Sequence, residues 1–480
     1  MVEVWQNIIS SDWVYYTYLV IYAATVILIL GIVLAENRNP VKSLAWITVL
    51  LLLPIVGIIL YIFFGRNIRN TRMISRRNRR RLKRAERYRN PDLSSLGLRE
   101  QTQQQIKLAR SLCDAQFFPG NDIRVFTSGQ AKMAALEADL KGAKRYINLQ
   151  YYIFTDDNTG RRIAKILMDK AQEGVKVRVI YDHVGSFRTR NNFWRRMKKA
   201  GVECHPFFKV TLPVFGSRIN WRNHRKPVVI DGTVGYVGGM NIADRYIDGG
   251  KNFKSWRDAH LRLTGPAVRS LQYSFAVDWN FMGMPLIEDE VPETPENGEA
   301  GAQLVTSGPM SSWSNDELIY QRAIASAQKR IFIQTPYFLP TDGLLKALQT
   351  AALARVDVRI ILPQRSDSRM LDYASFSYIA ECLRSGIKIY LYEPGMMHAK
   401  TMIIDDEVSA VGSTNFDFRS FEHNFEGNMF VYSRQFNERM TSIFMGDLRH
   451  SRRLLPSQWA RRSYRHKAAE SIVRLLSPIL

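Results

Sequence analysis

Apolar residues run without a charge from Trp13 to Ala35 and again from Ser43 to Gly65, 23 positions each. About 20 such residues cross a bilayer core. The pattern predicts two membrane spans joined by the short turn ENRNPVK, with Trp13, Tyr15, Tyr16 and Tyr18 at headgroup level and Pro54 held inside a packed hairpin. A cleaved signal peptide fits the first run less well, because it lacks a basic start, exceeds an h-region in length and has a second span behind it. Residues 97–117 then read as an amphipathic connecting helix, after which short β-rich runs alternate with helical ones. The runs DIRVFTSG, YINLQYYIF and VKVRVIYD are strands, and QAKMAALEADLKGAKR and GRRIAKILMDKAQEG are helices between them. Such alternation predicts an α/β layer fold.

The order then repeats. Thr127-Ser128-Gly129 returns as Thr306-Ser307-Gly308, YINLQYYIF as RIFIQTPYF, and VKVRVIYD as VDVRIILP. Two halves of one topology are expected to pack as a pseudo-two-fold pair with a common buried interface. Between them, residues 287–303 (IEDEVPETPENGEAGAQ) are acidic and rich in Pro and Gly, which predicts a solvent-exposed linker.

Charge narrows the partner. The 480 residues carry a formal net charge of +23, which points to a polyanion, either nucleic acid or an anionic lipid surface. Residues 66–89 hold twelve Lys or Arg against Glu86 alone, immediately after the second apolar run. Residues 1–12 have no Lys or Arg and the turn offers only Arg38 and Lys42, so the positive-inside rule puts both the N-terminus and everything after residue 66 in the cytoplasm. Beside a membrane span, a basic run lies against anionic headgroups at on the order of 1 kcal/mol per residue. Cys113, Cys204 and Cys382 are scattered and without C-x-x-C spacing, which gives neither a disulfide framework nor a zinc site.

The chemistry sits in NHRKPVVIDG (223–232) and MHAKTMIIDD (397–406). A constant offset of 174 residues relates His224 to His398, Lys226 to Lys400, Asp231 to Asp405 and Asn241 to Asn415. Pro227 to Ile230 reads as strand, so the period of two places His224, Lys226 and Val228 on one face. Each copy leads into a Gly-rich turn ending in asparagine, GGMN (238–241) and GSTN (412–415). A lysine two places from the histidine disfavours a divalent metal, and no H-E-x-x-H or carboxylate-rich segment is present. A histidine, lysine and asparagine face suits a phosphodiester: lysine and amide bind the non-bridging oxygens while imidazole attacks. Two such half-sites divide the work, one histidine as nucleophile and the other as acid, then base. Neither metal nor cofactor is required.

H-x-K-x-x-x-x-D followed by G-G/S-x-N, twice in one chain, resembles the phospholipase D superfamily. The second copy is fuller, since GSTNFDFRSFEHNFEGNMF has Arg419, Ser420, Asn424 and Glu426 in the family's positions, whereas the first has no Arg-Ser pair after Asn241. Asp258 stands where the second half has Glu426. The resemblance implies that these carboxylates orient a catalytic histidine, that Asp231 and Asp405 support the fold of the motif, and that His224 attacks while His398 acts as acid then base, although a pseudo-symmetric site permits the reverse. The twin-span N-terminus, YDHVGS after the third strand and the C-terminal RLLSPIL extend the resemblance over nearly the whole chain, to the bacterial cardiolipin synthases. That implies transfer between two phosphatidylglycerol molecules to give cardiolipin and glycerol, at the cytoplasmic face of a bacterial inner membrane. The exchange is near thermoneutral, in keeping with the lack of a Walker A or dinucleotide fingerprint.

The predicted organisation is therefore a transmembrane helical hairpin (1–65), a basic juxtamembrane segment and connecting helix (66–120), two phospholipase D-like α/β/α lobes (121–286 and 304–448) about the acidic linker (287–303), and a basic amphipathic tail (449–480). The tail fits either a membrane surface or a cover over the body. Trp221, Phe215 and Phe416 fit either acyl-chain entry or core packing. His183, His205, His260, His423, His450 and His466 lie outside the repeat and read as structural or surface residues, with His183, inside the YDHVGS turn, placed where it could line the pocket. A phospholipase D-type hydrolase, a membrane-tethered nuclease and an inert lipid-binding scaffold are the competing functions. Oligomers are compatible with the sequence.

Overall fold

The computed structural model describes residues 12–35, 40–61, 69, 71–86, 91–210, 220–287, 289, 291, 292, 294–296, 298–475 and 477. The chain divides into two units, Met1–Ile68 with Val210–Asn220, and the remainder.

In the first unit, Asp12–Ala35 forms a helix of 24 residues. The second apolar run differs from the single span expected: it is two helices, Pro40–Leu52 and Pro54–Leu60, because Pro54 has no amide hydrogen and Leu53 leaves helical geometry at φ −129°. Ile29, Leu50 and Tyr61 are buried together, with Trp46 edge-on to Tyr61 at 5.3 Å. Among the described residues no helix is long and apolar enough to cross a membrane. The expected spans Trp13–Ala35 and Ser43–Gly65 extend outside them, since the side chains of Val14, Tyr18 and residues 32–35, and all of residues 62–68, are not described.

The second unit is a mixed α/β body of two lobes. The first carries β1 (Phe117–Ser128), β2 (Tyr146–Tyr151), β3 (Lys176–Asp182), β4 (Glu203–Phe207), β5 (Val228–Ile230), β6 (Val234–Gly238) and β7 (Trp256–Thr264). The second carries β8 (Ala300–Ser307), β9 (Arg330–Gln334), β10 (Phe338–Leu339), β11 (Asp357–Pro363), β12 (Lys388–Tyr392), β13 (Met396–Met397), β14 (Thr401–Ile404), β15 (Val408–Gly412), β16 (Phe416–Asp417), β17 (Glu426–Tyr432) and β18 (Ser451–Arg453). The main sheet runs β4-β3-β2-β5-β6-β7-β1-β8-β17-β15-β14-β9-β11-β12-β18. From the central antiparallel β1–β8 pair, the lobes repeat each other strand for strand out to β4 and β12, and β18 adds a further edge strand to the second.

Every residue of β2, β14, β15 and β17 is buried. Strands covered on both faces read as nearly continuous apolar runs. On one side of the first lobe, the helices Gly129–Gly142, Asn158–Gln172 and Asn191–Lys199 supply Leu136, Ile163, Leu167 and Trp194 to a core with β2 and β3. The other face meets the second lobe, where Leu261, Leu263 and Leu271 share a cluster with Phe332, Val411 and Met429. That cluster is the seam.

Asp231 and Asp405 close the turns after β5 and β14 in left-handed geometry, at φ 53° and 48°. Asp231 accepts the amides of Lys144, Arg145 and Tyr146, and Asp405 those of Gln328, Lys329 and Arg330. Each carboxylate thus ties its motif to the start of β2 or β9.

One expectation changes and two alternatives are decided. The described residues of 287–303 are only partly in solvent: Arg178 Nη1 donates to Asp289 Oδ2 at 2.5 Å, Ile287 is buried, and β8 begins at Ala300, while Glu296 and Glu299 are exposed. A cation on β3, one strand in from the edge of the sheet, gives the acidic run a place to dock. The tail covers the body, through β18 pairing antiparallel with β12, Trp459 buried edge-on against Phe376 and Arg474 paired with Glu381 at 2.5 Å. Phe416 is core, stacked on Phe338, while Phe215 lies outside the described residues.

Asp405→Ala removes an acceptor from three backbone amides and from Arg99, and it places alanine at positive φ. It is expected to lower unfolding stability by about 2–4 kcal/mol, read as a drop in the midpoint of denaturant unfolding against wild type.

Candidate active site

Each histidine is docked on a strand of the opposite lobe. Before β5, residue 223 forms an isolated parallel bridge with Phe425, and His224 N–H donates to Phe425 O at 2.9 Å. In the second copy β13 pairs in parallel with β7, and His398 N–H donates to Arg257 O at 2.7 Å. The residue following each acceptor is a carboxylate. His224 Nδ1 lies 3.0 Å from Glu426 Oε1, and His398 Nδ1 lies 2.6 Å from Asp258 Oδ2. The backbone bond sets the position of the ring and the carboxylate sets its tautomer, with the proton on Nδ1 and the lone pair on Nε2. The strand expected from Pro227 starts one residue later, at Val228, and in the second copy at Thr401. His224, Lys226, His398 and Lys400 therefore precede their strands, in the extended segments that cross the seam.

The carboxylates are themselves held. Glu426 accepts from Ser413 Oγ at 2.5 Å and from Asn424 Nδ2 at 3.2 Å. Asp258 accepts from the Ala259 amide at 2.7 Å and packs so closely on Gly239 that an added Cβ would stand 2.2 Å from its Oδ1. The glycines before the asparagines thus make room for a neighbouring strand. Lys226 and Lys400 donate to the carbonyls of His224 and His398 at 2.5 Å, and Lys400 Nζ is 2.8 Å from His398 Nδ1 and 3.2 Å from Nε2.

Burial dominates the electrostatics. It pushes Lys226 down to about 7 and Lys400 down to about 8, and it pushes Glu426 up to about 7. Burial, then the charges of Lys226 and Lys400, holds His224 well below the usual histidine range. His398 is lowered to about 4 by burial and Lys400, against the pull of Asp258. Burial raises Asp258 too, but Lys400 and His398 outweigh it and leave this carboxyl below its ordinary value. The charges of Lys400 and Asp258, from the other half-site, act on His224, so the two motifs share one electrostatic environment. The site holds two neutral imidazoles and two buried amines, a setting that favours an incoming anion.

Asn241 is committed at both ends, with Oδ1 accepting from Ile153 N at 3.1 Å and Nδ2 donating to Tyr246 OH at 2.5 Å. Asn415 Oδ1 has no partner. Asp231 and Asp405 stand apart from the cluster, at the far ends of β5 and β14, in the turns already described. Among the described residues no group of three or more His, Cys, Asp or Glu is arranged to hold a metal ion.

Several supporting residues escape a reading of the sequence alone. Arg225, beside His224, binds Asp278 Oδ1 at 2.7 Å, Ser307 O at 3.0 Å and Glu426 O at 2.9 Å. Asp182 accepts from the Asn223 amide at 2.9 Å and from Arg222 at 3.2 Å. These two buried carboxylates clamp residues 222–225 against the seam. Asp278 left a signal, a lone acid on the apolar face of FAVDWNF, and Asp182 precedes the His183 that drew attention instead. Tyr152 stands edge-on to His224 at 5.0 Å, and Trp256 and Tyr246 flank His398 at 5.0 and 5.7 Å.

Residues 136–261 and 320–448 match the family described as Cardiolipin synthase, PLD-like domain, and residues 19–66 match Phospholipase_D-nuclease N-terminal. The chain belongs to the cardiolipin synthase family of the phospholipase D superfamily. It is 38% identical over 475 residues to a cardiolipin synthase of Geobacillus kaustophilus, covering 96% of this chain and 93% of that protein. It is 40% identical over 466 residues to cardiolipin synthase 2 of Bacillus anthracis, covering 96% and 91%. The phosphatidylserine synthase of Haemophilus influenzae has the same fold at a TM-score of 0.62 and 14% identity, over 80% of this chain and 100% of that one.

Because the lysines bind an anion only when charged, kcat/KM of this family member is expected to fall as pH rises through about 7 to 8. A pH profile whose alkaline limb stayed near the value of free lysine, about 10.4, would contradict the burial argument.

Proposed function

We propose that this chain is a phosphatidyltransferase that joins two phosphatidylglycerol molecules into cardiolipin and releases glycerol. The observation that carries the proposal is the crosswise pairing of His224 with Glu426 and His398 with Asp258. The matched family and relatives favour a phosphatidyl substrate.

In the first step His224 Nε2 attacks phosphorus, the bond to the glycerol headgroup breaks, and His398 donates a proton to the departing alkoxide. Burial and the charge of Lys400 otherwise keep His398 neutral; the substrate's negative charge offsets Lys400, so the acid is charged when the anion arrives. The lysines hold the non-bridging oxygens, with Asn415 and, less freely, Asn241 beside them. In the second step His398 removes the proton from a hydroxyl of a second phosphatidylglycerol. That oxygen attacks the phosphohistidine, the P–N bond breaks, and His224 is restored. Glu426 and Asp258 stabilise imidazolium character through Nδ1. Asp231 and Asp405 keep the motif folded.

The N-terminal runs act as membrane spans in this reading, with the body on the cytoplasmic side of a bacterial inner membrane. The support is the apolar length of residues 13–35 and 43–65 and the basic run behind them. Phosphatidylglycerol is the partner, nucleic acid is not, and self-association is compatible.

Full-length protein given phosphatidylglycerol alone is expected to yield cardiolipin and glycerol in equal amounts. Phosphatidic acid as the sole product would instead make it a hydrolase, and oligonucleotide cleavage lost in His224→Ala a nuclease. His224→Ala and His398→Ala should each cut turnover by at least about a thousandfold, with the fold unchanged by circular dichroism. Glu426→Gln is expected to lose about a hundredfold or more in kcat, because an amide cannot accept from both Ser413 and Asn424 while orienting the ring. Phosphate trapped on His398 and never on His224 would reverse the assigned roles.

A further inference from the structure

A cavity of about 680 Å³ opens at the seam of the two lobes, away from the catalytic histidines. Neither His224 nor His398 lines it, yet Arg225 and Phe425, the chain neighbours of His224 and Glu426, form part of its wall. Its remaining surface has three characters. The basic stretch after the N-terminal unit contributes Arg72 and Arg76, both exposed, and neither has an acidic partner among the described residues. Arg79 beside them is neutralised by Asp114. Apolar wall comes from Val277 and Leu304, on opposite lobes. Two lining amides carry buried acceptors without a partner: Gln116 Nε2 and Asn315 Nδ2 are spent on the carbonyls of Asp114 and Thr306, and the Oε1 and Oδ1 atoms are left unsatisfied.

Unpaired cations, an apolar wall and two orphaned oxygen acceptors ask for one kind of molecule. A volume of this size lies in the ordinary range of ligand pockets. The ligand must be anionic, partly apolar and able to donate hydroxyl protons. We infer that this cavity is a second, non-catalytic binding site for a glycerophospholipid with a free-hydroxyl headgroup, of which phosphatidylglycerol is the type. The phosphodiester sits at Arg72 and Arg76, the glycerol hydroxyls donate to Gln116 and Asn315, and the proximal acyl carbons lie along Val277 and Leu304.

Occupancy bears on the chemistry through the wall. Phe425 O accepts the His224 amide, and Arg225 bonds the Glu426 carbonyl, so a lipid packed against these two side chains stiffens the strand contact that aims the nucleophile. The basic stretch thereby acts as a lipid-sensing latch over the seam. The inference rests on the proposed use of phosphatidylglycerol and adds a site that this use does not itself require.

The test is photolabelling of the full-length protein in vesicles containing a photoactivatable phosphatidylglycerol among phosphatidylcholine, with labelled peptides mapped by mass spectrometry. Labelling of residues 270–277 or 304–312 is expected. Unlabelled phosphatidylglycerol should compete, while phosphatidylcholine and millimolar inorganic phosphate should not. Arg72→Gln with Arg76→Gln, exposed positions whose change does not threaten the fold, should weaken this labelling about thirtyfold, roughly fivefold for each basic residue removed, and leave labelling of peptides containing His224 or His398 in place. Labelling confined to the catalytic peptides, or equal in the double variant, overturns the site. Phosphatidic acid competing as well as phosphatidylglycerol overturns the role given to Gln116 and Asn315. Cardiolipin formation measured on the same preparation separates the two readings: synthesis without cavity labelling sinks this inference alone, and absence of synthesis sinks the proposed function.

Discussion

Each catalytic-type histidine borrows its carboxylate from the other lobe, and this exchange across the seam is the constraint on which the rest of the structure depends. His224 reaches Glu426 and His398 reaches Asp258 only because β17 and β7 each offer a backbone carbonyl one residue ahead of the acid. A lobe by itself would hold a histidine without an orienting acid and an acid without a histidine. The apolar cluster of Leu261, Leu263, Phe332, Val411 and Met429 therefore does more than stabilise. By fixing the approach of the lobes it sets the reach of both imidazoles.

The same burial shapes the charges. Glu426, Asp258, Lys226 and Lys400 are almost wholly removed from solvent, and breaking such a set by deleting one member leaves a buried charge uncompensated, at about 3–5 kcal/mol. The cluster persists because its members answer one another: Lys400 holds Asp258 ionised, and Lys226 draws Glu426 toward ionisation. The site keeps its imidazoles neutral and its amines only partly committed. In the proposed reaction an entering phosphodiester supplies the missing negative charge, so that binding and activation are one electrostatic event.

The duplication is not a perfect mirror. Glu426 has Ser413 and Asn424 as further partners, whereas Asp258 relies on the Ala259 amide and a close glycine. Residues 222–225 carry the Asp182 and Asp278 clamps, while residues 396–398 are held by β-pairing with β7. A more rigid His224 fits the proposed nucleophile, which must stay aligned through two displacements. A more simply held His398, with Lys400 near both ring nitrogens, fits a group that gains and loses a proton.

Much of this was already legible along the chain. Alternating β and helical runs, repeated in order, determined a two-lobe α/β body, and the constant offset of 174 residues singled out His224, Lys226, Asn241, His398, Lys400 and Asn415. These are local or periodic signals, and periodicity survives in one dimension. Resemblance to a family added Glu426 and Asp258. What tertiary structure decided concerns partners distant in sequence. It chose which acid faces which histidine, committed Asn241 to Ile153, drew the acidic segment onto Arg178 and the tail onto Phe376, and brought Asp182, Asp278 and Arg225 to the motif. No spacing rule announces such contacts, because side chains 40 to 200 residues apart meet only after the lobes have packed, and packing answers to the shape and charge of the whole body rather than to any short run of residues.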